Sequence, residues 1–170
     1  NTIYNLSIPT IAHINGVCAG AGVGIALACD FAIANEDAYF LQAFCKIGLI
    51  PDSGNTYFLP RLVGLAKAKQ LTMLGDKLFA KEALACGMIM AVYEQENAYT
   101  QANNLAIKLS TAPTFGLSLI KKALHQSLDN TIEQQLETEK QYQRKAGYSQ
   151  DYKEGVNAFL NKKTPNFKGV

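Results

Sequence analysis

At 170 residues, 48% apolar and 18% charged, the chain has the composition of one globular domain with a sizeable core and is far from disordered. A net charge of +2 gives no global attraction to nucleic acid; the pairs Lys67 with Lys69, Lys121-Lys122 and Lys162-Lys163 are local anion sites or plain solvated surface. No apolar run reaches the roughly 18 residues of a membrane span and no signal peptide is visible, so a cytoplasmic protein that does not enter membranes is expected.

In chain order, Ile11 to Asn15 reads as a strand ending in the turn Asn15-Gly16. The glycine-rich Cys18 to Gly24 follows, then a small-residue helix through Cys29, and this suits either an anionic oxygen at the backbone or close helix packing. Phe31 to Ala34 and Tyr39 to Ala43 are short strand candidates. Gly64 and Gly75 bracket a helix over Leu65 to Leu74, Ala80 to Cys86 is a second helix, and Met88 to Tyr93 is the last strand. Beyond it the spacing predicts helices over Ala98 to Leu109, from Pro113 through Ser127, over Thr131 to Ala146 with Asn130 as its cap, and from Gln150 to about Lys162.

The cysteines (Cys18, Cys29, Cys45, Cys86) have no CxxC spacing and read as reduced core residues. With them and only His13 and His125, there is little material for a zinc site or a Ser-His-Asp triad, so neither a metal nor a separate cofactor is expected. The stretch Gly48-Leu49-Ile50-Pro51-Asp52-Ser53-Gly54 ends an apolar run at a proline and presents one carboxylate beside a glycine. Asp52 either caps the helix that follows or is an acid aimed into a pocket.

The ordered blocks Pro9 to Gly16, the glycine loop, Ala28-Cys29-Asp30, Gly48 to Pro51 and Leu59 to Gly64 carry a resemblance to the crotonase, or enoyl-CoA hydratase/isomerase, superfamily, over essentially the whole chain. Within it, Pro51 to Gly54, Leu74 to Leu78, Thr114 to Leu117, Tyr142 to Gly147 and Asp151 to Val156 look most like the branch that isomerises ring-epoxidised phenylacetyl thioesters to the oxepin. The resemblance implies an α/β fold: a spiral of ββα units over 1–95, then a helical trimerisation region over 96–170. The N-terminal part of that fold is absent from these residues.

It also implies an acyl-CoA partner, with CoA present only as part of the substrate, and a homotrimer or dimer of trimers. Where hydratases of the superfamily carry two glutamates this chain has Gly24 and Phe44, which disfavours ordinary two-acid hydration. By resemblance Ala21 supplies one oxyanion N–H, between Gly20 and Gly22, and Asp52 is the single acid. Ile25, Phe44 and Leu49 line the acyl pocket or are core, and Phe159, Lys162 and Lys163 lie in a tail that reaches a neighbouring subunit's CoA. Asn55 stands where relatives usually have glycine, and it is expected to tolerate left-handed backbone angles there. A Δ3-Δ2 enoyl-CoA isomerase, a hydratase-like enzyme and a non-catalytic acyl-CoA-binding remnant remain alternatives.

Overall fold

In the computed structural model, which describes residues 1–170, six strands form two three-stranded sheets, the first four strands alternating between them. β1 (Ile11–Ile14), β3 (Phe31–Asn35) and β6 (Ala91–Tyr93) form one parallel sheet, with Ile11 opposite Phe31 and Ile33 opposite Ala91. β2 (Val17–Ala19) and β4 (Tyr39–Leu41) run parallel in the other, and β5 (Lys77–Phe79) joins β4 antiparallel. The central strand β3 has Ala32, Ile33, Ala34 and Asn35 all buried, the signature of a parallel strand covered on both faces.

Helices fill the returns between strands. α1 (Ala21–Leu27) follows β2, α2 (Asn55–Leu74) follows β4 and a 3₁₀ turn at Ala43–Ile47, and α3 (Ala80–Ala85) leads to β6. Their apolar faces meet the strands in a core that includes Val23, Leu27, Phe40, Leu59, Leu71 and Leu78. Thr10 and Asp30, the residues just before β1 and β3, fasten the starts of those two strands together: the backbone N–H and hydroxyl of Thr10 donate to Asp30 Oδ2 at 2.7 and 2.8 Å, and the Asp30 N–H donates to Thr10 Oγ1 at 3.1 Å. Asp30 is therefore a clip as well as part of a recognisable motif.

The chain divides into two compact units, Asn1–Leu6 with Thr10–Leu105 and Ser7–Pro9 with Ala106–Val170, and α4 (Gln95–Ser110) crosses the division. In the second unit α5 (Thr114–Ser127) packs on α6 (Ile132–Gly147), and α6 meets α7 (Gln150–Leu160). Asp151 is buried there and holds the tail, its Oδ1 accepting from the Lys168 N–H at 2.6 Å and its Oδ2 from the Gly169 N–H at 2.8 Å.

Several sequence expectations change. The strand expected over 39–43 stops at Leu41 because Ala43–Ile47 tightens into the 3₁₀ turn, and the one expected over 88–93 pairs only at Ala91–Tyr93. The α6 cap is Thr131, whose hydroxyl accepts from the Gln134 N–H, while Asn130 bonds the Gln135 side chain instead. No helix is long and apolar enough to cross a membrane.

Candidate active site

Gly20 precedes α1 with φ 53° and ψ −122°, a conformation open to glycine and strained for other residues. Its N–H donates to the Leu41 carbonyl at 2.9 Å, which hangs the loop on the end of β4. The N–H groups of Ala21 and Gly22, the first of the helix, donate to nothing in the chain. The Phe44 ring lies over Gly20, with its Cζ 3.5 Å from where a Cβ would stand. Cys18 Sγ lies near Gly22, and burial pushes the thiol from an ordinary 9.0 up to about 11.

Across from this loop, Ser53 and Gly54 both take left-handed angles, with φ 51° and 82°. The Asn55 N–H donates to the Asp52 carbonyl at 2.9 Å and closes the turn. Asn55 is not the left-handed residue; Ser53 and Gly54 absorb the reversal, and Asn55 opens α2 with its side chain fully buried. Its Nδ2 donates to the Gly20 carbonyl at 3.1 Å and to the Asp52 carbonyl at 2.9 Å, while its Oδ1 accepts from Gln42 Nε2 at 2.6 Å. One amide thus ties together the glycine loop, the acidic turn and the start of the 3₁₀ turn.

Asp52 does not cap α2 through its side chain, since no side-chain bond caps that helix. Its carboxylate is exposed in this chain and engages no partner. It is the backbone after it that packs inward: a Cβ on Gly24 would collide with the Ser53 carbonyl oxygen and stand 2.9 Å from the carbonyl carbon. Gly24 is what lets the acidic turn approach α1.

A cavity of about 680 Å³ opens between α1 and the start of α2, lined by Tyr4, Ile25, Ala28, Ser53, Tyr57 and Phe58 among others. That is within the usual range for a small-molecule pocket. Tyr4 stands edge-on to Tyr57, with centroids 6.1 Å apart, and 5.6 Å from Phe58, so one wall is aromatic. Of the three residues expected at an acyl pocket, Ile25 lines this cavity, while Leu49 and Phe44 lie outside it, Leu49 exposed and Phe44 half-buried on the glycine loop. Phe159 and Lys162 belong to the second unit, Phe159 at 83% exposure on α7 and Lys162 left-handed just beyond it. Sequence reasoning missed Gln42, Tyr57, Phe58 and the bridging role of Asn55. For the two aromatics the signal was available: they fall three and four residues after Gly54, on one face of a helix.

The model of the enoyl-CoA hydratase/isomerase family matches residues 1–170. Over 167 residues the chain is 50% identical to 1,2-epoxyphenylacetyl-CoA isomerase of Escherichia coli, covering 98% of this chain and 64% of that protein. It is 34% identical to trans-2-decenoyl-(acyl-carrier-protein) isomerase of Streptococcus mutans, again over 98% of this chain and 64% of the relative. The crystal structure of an enoyl-CoA hydratase from Bacillus anthracis matches with a TM-score of 0.95 at 33% identity, covering 99% of this chain and 65% of that one. The chain therefore spans somewhat under two thirds of the length of these proteins. With its two three-stranded sheets, its glycine loop before α1 and its helical second unit, the chain has the crotonase fold and belongs to the enoyl-CoA hydratase/isomerase family.

Proposed function

We propose that the protein is an acyl-CoA isomerase that converts ring-epoxidised phenylacetyl-CoA to the oxepin thioester, using Ala21 and Asp52. The observation that carries this reading is a free N–H at the start of α1, bridged through one buried amide to a turn bearing an unpartnered carboxylate. The Ala21 N–H would donate to the thioester oxygen and stabilise the negative charge that develops there, and losing such a donor typically costs roughly 2.7–4 kcal/mol. Asp52 would take a proton from carbon and return it, or assist opening of the epoxide. One carboxylate suffices because the proton removed goes back to the same molecule.

The absence of an acid at Gly24 and Phe44 supports isomerisation over hydration. The 50% identity to an epoxyphenylacetyl-CoA isomerase points the same way. The reading requires the exposed Asp52 to lose water when the thioester binds. Ile25, Phe44 and Leu49 would face the acyl chain, Gly20 and Gly22 would flank the thioester oxygen, and Phe159 with Lys162 would meet the CoA of a neighbouring subunit. No cofactor beyond the CoA of the substrate enters the scheme. The active form would be a homotrimer or a dimer of trimers in the cytoplasm.

A second reading, Δ3-Δ2 isomerisation of an enoyl thioester, is favoured by the 34% identity to the trans-2-decenoyl-(acyl-carrier-protein) isomerase; one carboxylate would serve it too, because the proton again returns to the same molecule. Turnover of both substrate types by the full-length protein separates the two. Asp52→Asn should lower turnover of the true substrate by about 10²–10⁴-fold, as expected for loss of a general acid or base. Near-normal turnover by that variant would remove Asp52 from the mechanism. Binding of CoA esters with no turnover of either substrate type would favour a non-catalytic binding role.

A further inference from the structure

We propose that Asn55 is a positioning residue that holds the Ala21 N–H on the thioester oxygen by fixing the Gly20–Ala21 peptide, with Gln42 behind it. The inference rests on the oxyanion role given to Ala21 above. The Gly20 carbonyl and the Ala21 N–H are opposite ends of one planar trans unit, so whatever fixes the direction of the carbonyl fixes where the N–H points. The residue before that unit is glycine, which has no Cβ to resist rotation of the peptide.

Two donors hold the carbonyl oxygen. One is the Val23 N–H at 3.1 Å, part of the local helical turn, and the other is Asn55 Nδ2 at 3.1 Å, thirty-five residues away in sequence. The same Nδ2 bonds the Asp52 carbonyl, so both turns that carry the proposed chemistry share one donor group. A hydrogen bond to the oxygen of an amide also polarises its N–H, which strengthens the donation expected of Ala21.

The orientation of the Asn55 side chain is forced. Exchanging its O and N would set an acceptor against two carbonyl oxygens and a donor against Gln42 Nε2. Gln42 is itself buried, at 4% exposure, and its Oε1 has no partner. A buried amide with an unsatisfied oxygen is costly, and an apolar side chain of similar size would fill the space without that cost. The arrangement is explained if its donors are needed where they point. Space for the amide comes from Gly24, since Asn55 Nδ2 lies 3.0 Å from where a Cβ on that residue would stand.

The test compares the full-length protein with Asn55→Asp, which keeps the size and removes the donor, and Gln42→Met, which removes only the support and spares the fold. Each is assayed for kcat and KM and, with a carbonyl-labelled CoA thioester bound, for its infrared C=O stretch. For Asn55→Asp, kcat should fall about tenfold or more, short of the 10²–10³ expected for outright loss of an oxyanion donor, with KM nearly unchanged. The stretch should move back toward its frequency in water, and Gln42→Met should shift both readouts the same way by less. A defect of folding alone would lower the amount of active protein without moving the stretch of the bound ester. If the unaltered protein shows no shift on binding, the oxyanion reading falls and this proposal with it. If it does and both variants leave the shift and kcat in place, only the role of Asn55 is overturned.

Discussion

Gly24 shows how one missing side chain decides both packing and chemistry. Any Cβ there strikes the backbone of Ser53, which cannot swing away as a flexible side chain would. Gly24→Ala should therefore destabilise the full-length protein by about 1–3 kcal/mol, the usual range for overpacking, measured as a lower Tm. Gly24→Glu should displace the Asp52 turn and abolish isomerisation without creating a hydratase; hydration of an enoyl-CoA by that variant would refute the steric argument. Cys18 gives a second test at this scale. Its folded pKa of about 11 lies above the ordinary 9.0, so burial of the neutral thiol adds stability that is complete below pH 9 and lost as pH rises from there through 11. At pH 8 Cys18 should be the slowest of the four thiols to react with iodoacetamide in the native protein, as the one that is buried, and mass spectrometry of the alkylated peptides reads this directly.

At the scale of elements, legibility followed the range of the interactions. α5, α6 and α7 were visible because helical periodicity and caps are local, and their observed starts fall within two residues of those expected. Gly64 was readable as a break, and its φ of 76° and ψ of 159° do divide α2 into 55–63 and 65–74. The three-residue strands β2 and β5 were not expected, since each is defined by its partner in β4 and neither is long enough to show alternation. The same limit hid the site: nothing near Asn55 in sequence says that its amide reaches Gly20, or that a free carboxyl group at Asp52 stands outside the cavity its neighbours line. The cap of α6 was misplaced by one residue because Asn130 and Thr131 are both good capping residues, and the Thr131 to Gln134 spacing completes a reciprocal pair. Thr131→Ala should cost about 0.5–2 kcal/mol and raise amide exchange in the first turn of α6, whereas Asn130→Ala should leave that turn protected.

For the whole molecule, the surface of the second unit is the feature that a lone chain does not explain. Ile120 and Leu124 on α5, Ile132 and Leu136 on α6, and Phe159 and Leu160 on α7 are all more than half exposed, and α6 buries no residue at all. Ile120 with Leu124, and Ile132 with Leu136, are each four residues apart, so each pair stands on one helical face. Single exposed apolar side chains are ordinary, whereas rows of them on successive helices have the pattern of an interaction surface. In the proposed trimer those rows would be the interface, and hydrophobic burial would hold it. Changing Leu136 and Phe159 together to glutamate should leave the helix content by circular dichroism unchanged, while sedimentation shifts the full-length protein from an assembly of three or six chains toward single chains. A parent protein that sediments as a monomer at micromolar concentration would show that these faces do not join copies of the chain, and the assembly proposed for it would have to be given up.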